Sequence, residues 1–528
     1  MALELTKELI NINEVVTEDF SQTLVEGDII VPDVKPDILR ILQVDGVATI
    51  TNKEVQQDKV VIDGIVNFKI LYVPDESESS GVSIKSINAN SNFTHQIEIK
   101  SARQNMKAQV ESDIEHIEFK MLNSRKINVK AIVSMDCKVV NTLSLYMVTD
   151  ITGEEDIQIL RKNVKTYNVI AENDEQFIIS EDMEIPAGKP SIKDILKVDQ
   201  KITGKDIKVI NDKVVVKGEL NICTLYIGDM DDNSIQFMEH EIPFTEVFDM
   251  DEAKEGMHCE LECEVQDFYF NVKEDSDGEP RVLGIEATLS AVARASESIA
   301  IDVVADTYSP YIDINIEKKT YNIDEVVDNS KTQTTIKEII DLPADVPDIL
   351  QIYNVITKPY ITETTVENGK VVVEGVIDAY ILYLADNEEN PVYSHKQEIP
   401  FKHSIEVKNA APDMACDVKL DITHCSYSMN AGSEVEIRCI VGIDSKIVKT
   451  SKVELITKAE AAPTETADAK EHPSIVIYFV QEGDTFWNIA KKYCTTIQEI
   501  IKVNELENVN TLHQGQQLFI PKKRKKIS

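Results

Sequence analysis

The sequence predicts a mainly β protein: three homologous β-rich domains in tandem, followed by a small α+β module of βααβ order. Three observations carry that prediction. Pro, Gly and Tyr recur three times at fixed offsets, the segments around the recurring Gly alternate apolar and polar residues, and the last 54 residues differ from the rest in pattern and in sign of charge.

The repeats come first because they fix the organisation. Pro32, Pro36, Gly64 and Tyr72 match Pro186, Pro190, Gly218 and Tyr226, then Pro343, Pro347, Gly375 and Tyr383, with spacings of 4, 28 and 8 residues in every copy. Phe93 to Met106, Phe244 to Met257 and Phe401 to Met414 are each 13 apart. The repeat length, 154 residues from Pro36 to Pro190 and 157 from Pro190 to Pro347, far exceeds a solenoid unit of about 20 to 50. Each copy is therefore expected to be a domain with its own core. The boundaries read as 1–160, 161–315 and 316–457, then a flexible linker 458–474 and a terminal module 475–528.

Within each copy the pattern is that of strands. Val371, Val373, Gly375, Ile377, Ala379, Ile381 and Tyr383 share one face while Glu374 and Asp378 take the other, a period of two. Val60 to Tyr72 repeat it. Asn368-Gly369 is a strong hairpin signal, and Gln57-Asp58 and Asn211-Asp212 occupy the matching places. The segments 36–42, 190–196 and 347–352 each read as one helical turn, since Pro suits a first helical position. The Pro-x-x-x-Pro loops read either as docking peptides or as rigid turns leading into the hairpin. Gly64, Gly218 and Gly375 mark a bulge or close packing against another backbone rather than a ligand.

Composition excludes several functions. With 93 acidic against 54 basic side chains the net charge is −39, which disfavours nucleic acid and anionic membranes as partners. No segment approaches the roughly 18 apolar residues of a membrane-spanning helix, and the start lacks a basic region followed by an apolar run. A cytosolic location is expected, and eight Cys spread over 528 residues agree with a reducing compartment. No phosphate loop, zinc helix or nucleophile elbow is present. Asp63, Lys217 and Glu374 match across copies yet differ in sign, which a shared general acid or base cannot tolerate. His258, Cys259 and Cys263, and Cys416, His424 and Cys425, invite a metal reading. However, Cys259 and Cys416 stand where copy one has Ala108, so a small core site is the simpler account. No enzymatic activity, cofactor or metal is expected.

The segment Lys458 to Ser474 has no aromatic or β-branched aliphatic residue and reads as a disordered tether. Ile475 to Ser528 holds eight basic and five acidic residues, a net of +3, which leaves −42 for the remainder. The terminal module could thus dock on an acidic surface. The basic run Lys522-Lys523-Arg524-Lys525-Lys526 is more simply a solvated end.

Tyr478-Phe479-Val480-Gln481-Glu482-Gly483-Asp484-Thr485-Phe486-Trp487-Asn488-Ile489-Ala490, followed by Tyr493, Ile497, Ile500, Asn504, Leu506, Leu512, Gly515-Gln516 and Leu518-Phe519-Ile520-Pro521, closely resembles a LysM module. The resemblance implies a glycan groove of the kind that holds N-acetylglucosamine polymers. Its loops would be Gly483, Asp484, Thr485 and Phe486, and Asn508, Val509, Asn510 and Leu512. Phe486 stands where the family more often has Leu. Trp487 and Ile489 are read as core. Asp484 or Thr485 can cap the first helix, and Thr495 or Thr496 the second.

The three repeats resemble the SPOCS domain of clostridial spore-coat morphogenesis proteins. That resemblance implies a protein of the mother cell cytoplasm that gathers at the forespore surface by binding the basement-layer ATPase SpoIVA and other coat proteins. The expected function is therefore non-enzymatic coat assembly, with the LysM module as a docking domain. The alternative is a peptidoglycan-binding protein of the wall or cortex, with the repeats as spacers or self-association modules.

Overall fold

The computed structural model describes residues 3–75, 84–153, 156–230, 234–343, 346–385, 392–430, 434–462, 475–506 and 512–521. Every strand pairing is antiparallel. The first repeat contributes β1 (Glu4–Ile30), β2 (Ile38–Gln56), β3 (Lys59–Pro74), β4 (Lys85–Glu98), β5 (Lys107–Asn123) and β6 (Lys126–Thr152). They form two three-stranded sheets, β2-β3-β4 and β1-β6-β5. The second repeat follows the same plan with β7 (Gln158–Glu184), β8 (Ile192–Ile210), β9 (Lys213–Gly228), β10 (Ile235–Asp249), β11 (His258–Glu274) and β12 (Pro280–Tyr308). So does the third, with β13 (Ile314–Asp341), β14 (Ile349–Glu367), β15 (Lys370–Ala385), β16 (Val392–Glu406), β17 (Ala415–Met429) and β18 (Glu434–Ala461).

The period-two reading of the central strand holds. Val60, Ile62, Val66, Phe68, Ile70 and Tyr72 are all buried on one face of β3, and the inward residues of β6, among them Val129, Ala131 and Val133, meet them across the sandwich. At the β2–β3 turn and its equivalents, Asp58, Asp212 and Gly369 have positive φ, as the hairpin sequences require. The Pro-x-x-x-Pro segments are turns. Lys35 N donates to Pro32 O, Lys189 N to Pro186 O and Val346 N to Pro343 O. Arg125 and Arg281 clamp the first two by donating to the carbonyls of Pro32 and Pro186.

The helical turns expected at 36–42, 190–196 and 347–352 are strands instead. Two register shifts within a few residues, at Ile38/Arg40 and Ile41/Gln43, skip Leu39 and Leu42 in the ladder. Inward residues then fall three apart, at Ile38, Ile41 and Val44, so two bulges imitate helical spacing. The same shifts occur at Ile192/Asp194 and Ile195/Lys197, and at Ile349/Gln351 and Ile352/Asn354.

Each repeat has its own core, but the repeats also share three more, the smallest built from Val148, Ile151, Val304, Ile456 and Ala459. The long strands bulge at Val16, Ile170 and Val327, residues at matching places that the ladder skips. A bulge bends and twists a strand. Beyond it the β1–β6, β7–β12 and β13–β18 ribbons meet, burying Ile12, Met147, Val164, Val303, Ile323 and Leu455 together. A second junction joins Leu71, Leu196, Leu225, Tyr353 and Leu382 from all three repeats. Beside it Lys197 of repeat two lies 2.6 Å from Asp45 of repeat one and 2.9 Å from Asp199. The three copies thus form one three-way body.

The linker expected from Lys458 begins later. Lys458 to Ala461 continue β18, with Lys458 paired to Glu317 and Ala461 to Ile314, and Ala459 is buried. Their backbone groups are taken up by the ladder despite a composition that reads as disordered. Residues 463–474 lie outside the described residues. The terminal module comprises β19 (Ile475–Phe479), α1 (Phe486–Lys492), α2 (Ile497–Val503) and β20 (Gln517–Pro521), with β19 paired to β20, the βααβ order read from the sequence. Among the described residues no helix is long and apolar enough to cross a membrane.

Candidate functional site

Helices of seven residues do not hold themselves together in water, so the module depends on caps and packing. Thr485 caps α1 by accepting from Asn488 N at 3.1 Å, and Thr496 caps α2 by accepting from Glu499 N at 3.2 Å. Asn504 ties α2 to β20, donating to Phe519 O and accepting from Phe519 N, each at 2.7 Å. Leu518, Ile520, Ile489, Ala490 and Ile500 fill the interior.

The expected surface residues divide by environment. Gly483, with φ +83, and Thr485 are exposed on the turn between β19 and α1. Asp484 braces that turn: its Oδ2 accepts from Gln481 N and from Tyr478 Oη, both at 2.7 Å. The bond to Asp484 pushes the Tyr478 phenol up to about 12. Phe486 is a correction to the surface reading, since it is buried in the module core, and Leu512 packs against that core too. Asn508, Val509 and Asn510 lie outside the described residues, as does the basic run 522–526.

Trp487 is buried, as expected of a core residue, but its surroundings are not only the module's own. Its ring meets Tyr308 edge-on, with centroids 4.9 Å apart, and its Nε1 donates to Asp306 Oδ2 at 2.8 Å. Lys491 Nζ lies 2.7 Å from each oxygen of the same carboxylate. Burial alone would raise the Asp306 pKa, but the bonds from Lys491 and Trp487 outweigh it and hold the group below the ordinary carboxylate value. Tyr308 Oη donates to Thr495 O at 2.9 Å. Neither Asp306 nor Tyr308 carries a sequence signal, because each belongs to a strand end whose partner lies about 180 residues away.

The repeat positions that invited chemistry are sheet surface or core. Asp63 accepts from Thr94 at 2.7 Å and Glu374 pairs with Lys402 at 2.5 Å, both across neighbouring strands. Cys259, Cys263 and Cys416 are half-buried, and burial raises each thiol to about 11, which keeps them protonated near neutral pH. Cys425 faces Cys439 at 3.5 Å. Among the described residues no three His, Cys, Asp or Glu side chains gather as a metal-binding group.

A family model described as SipL, SPOCS domain, matches residues 37–122, 191–273 and 348–430, and a LysM domain model matches 478–521. Each SPOCS match spans β2–β5 or its equivalent, so β1 and β6, which complete the second sheet, fall outside it. No curated protein and no solved structure gives a significant match. SPOCS and LysM are both non-catalytic domain families. Three SPOCS domains ahead of one C-terminal LysM domain of the peptidoglycan-binding type match the SipL architecture and support a spore coat protein.

Proposed function

We propose that this chain is a non-enzymatic assembly protein of the spore coat, positioned around the forespore in the mother cell by binding the basement-layer ATPase SpoIVA. One observation supports it most: three SPOCS copies are fused through shared cores into a single acidic body that carries a LysM module on its side. A body of this kind offers three unlike outer surfaces at fixed mutual positions, which suits holding several proteins together. Weak contacts on one particle gain avidity from effective concentration. In this reading Gly483 and Thr485 touch the partner, Asp484 fixes their turn, and Phe486 and Leu512 support it from below. Asn508, Val509 and Asn510 complete the proposed surface.

The LysM match favours a second reading, in which the same turn holds a peptidoglycan strand. Full-length protein incubated separately with purified SpoIVA and with insoluble peptidoglycan distinguishes the two. Retention by the ATPase that Thr485→Arg weakens at least tenfold is expected. Retention on peptidoglycan alone, unaffected by the presence of SpoIVA, would refute the proposal.

A further inference from the structure

We propose that the end of β12 is a receptor for the LysM module, so that the module is carried docked on the repeat body rather than free on its tether. This inference does not depend on the identity of the coat partner.

The polar groups at the contact are used mutually. The module supplies both near donors of the Asp306 carboxylate, Lys491 Nζ and Trp487 Nε1, while Lys318 of β13 stays at 3.9 Å. In return Asp306 satisfies a buried indole N–H, a donor that rarely goes without a partner. Tyr308 enters the module's own apolar core at 5% exposure, and its hydroxyl takes the carbonyl of Thr495 just before α2. Edge-on aromatic packing, a charge-assisted bond and a buried phenol thus meet within three residues of one strand.

Comparison of the repeats shows that the site belongs to copy two. The ladder skips Thr149, Ala305 and Thr457 at matching points near the ribbon ends. The first residue after the skip is Asp150, Asp306 or Lys458, and the third is Thr152, Tyr308 or Glu460. Only the second repeat combines a carboxylate with an aromatic ring there. The carboxylate has a counterpart in copy one, where Asp150 pairs with Arg161 of the next repeat at 2.9 Å as Asp306 faces Lys318 at 3.9 Å, so the residue peculiar to copy two is Tyr308, whose ring and hydroxyl are both taken up by the module.

The chain closes the site readily. Twelve residues separate Ala462 from Ile475, and two groups joined in one chain meet at an effective concentration well above that of separate molecules. A contact too weak to hold two separate molecules is thereby held within one. The consequence is positional: Gly483 and Thr485 are presented at a fixed place on the body.

Two measurements on the full chain test this. Zero-length carbodiimide coupling of dilute protein joins ion-paired amines to carboxylates, and peptide mapping should find Asp306 joined to Lys491 in material that migrates as a monomer. Absence of that link, or its presence only in a dimer band, overturns the proposal. Trp487 is the sole tryptophan, so its fluorescence reports the contact directly. Asp306→Ala/Tyr308→Ala should raise its acrylamide quenching at least twofold and shift emission to the red. Exchanging the charges in Asp306→Lys/Lys491→Asp should restore most of the shielding lost in Asp306→Lys alone, an outcome that unfolding of the module would not give. Quenching unchanged in the double alanine variant, or no recovery on exchange, overturns it.

Discussion

Substituting alanine for the repeated glycine should cost unequal amounts in the three copies, although sequence spacing makes the positions equivalent. Each glycine lies opposite the repeated phenylalanine: Gly64 pairs with Phe93, Gly218 with Phe244 and Gly375 with Phe401, and the ring covers the missing side chain. A Cβ on Gly375 would stand 2.4 Å from Tyr360 O and 2.7 Å from the Phe401 ring. On Gly64 it would stand 2.9 Å from Thr49 O and 2.4 Å from Phe93. On Gly218 its three nearest atoms would all belong to the Phe244 ring, the closest at 2.6 Å. The difference has a cause in the ladder, since β8 skips both Gly204 and Lys205 opposite Gly218, whereas β2 and β14 skip one residue each. Overpacking costs about 1–3 kcal/mol, and Gly→Ala returns about 0.4–1 kcal/mol through the unfolded chain. A ring can turn aside, but a carbonyl held in a ladder cannot. Gly218→Ala is therefore expected to lose less than about 1 kcal/mol and Gly375→Ala about 2 kcal/mol. Hydrogen exchange of full-length protein, read on peptides from β8–β10 and β14–β16, measures each repeat separately. Phe244→Leu should rescue Gly218→Ala, while Phe401→Leu should not rescue Gly375→Ala. Equal losses in the two repeats, or a larger loss at Gly218, would refute the reasoning.

Three other perturbations bear on the body. Tyr72 and Tyr226 donate to Pro36 O and Pro190 O at 3.1 and 3.0 Å, whereas the buried Tyr383 hydroxyl has no hydrogen-bond partner among the described residues and its ring stacks on Tyr393. Tyr72→Phe and Tyr226→Phe should each lower stability by about 0.5–1.5 kcal/mol, and Tyr383→Phe should be neutral or stabilising, as urea denaturation will show. Lys197→Met leaves Asp45 and Asp199 facing each other at the repeat junction. The loss should be about 3 kcal/mol, the low end for a broken buried pair because Asp45 keeps 40% of its side chain in solvent, and Asp45→Asn/Asp199→Asn should recover most of it. Burial would raise the Asp45 pKa, but Lys197, with a smaller contribution from Lys358, holds it below the ordinary value. Its stabilisation is thus complete above the usual carboxylate range and is lost as pH falls through the depressed value. Denaturation midpoints measured from pH 7 to pH 3 should fall less steeply in Asp45→Asn; an identical slope would remove this pair from the acid response.

What the sequence made legible was the part of the fold governed by local period. Val60 to Tyr72 alternate because a half-buried strand must, and the hairpin at Asn368-Gly369 follows from a turn that needs positive φ. The helical turn at 36–42 failed for a physical reason: bulges at Leu39 and Leu42 turn a period of two into a spacing of three, which a one-dimensional pattern cannot tell from a helix. The linker began too early because Lys458 to Ala461 owe their order to a partner strand, not to their own side chains. Phe486 was assigned to a surface by family position, yet a module with two seven-residue helices needs its ring inside.

The three shared cores and the LysM dock are illegible for a different reason. Met147, Val303 and Leu455 are ordinary apolar strand residues, and nothing in their spacing says that they face other repeats rather than their own. Asp306 resembles dozens of other acidic residues in a chain with 93 of them. Its distinction arises only when Trp487 and Lys491 arrive from the terminal module and the carboxylate becomes part of a half-buried pair. Repeat comparison narrows the search, since a residue that departs from its copies has been released from the demands of the common fold. Tyr308 departs from Thr152 and Glu460 at the end of a ribbon, beside a carboxylate that copy one shares as Asp150, and a departure so placed marks where one copy meets something the others do not.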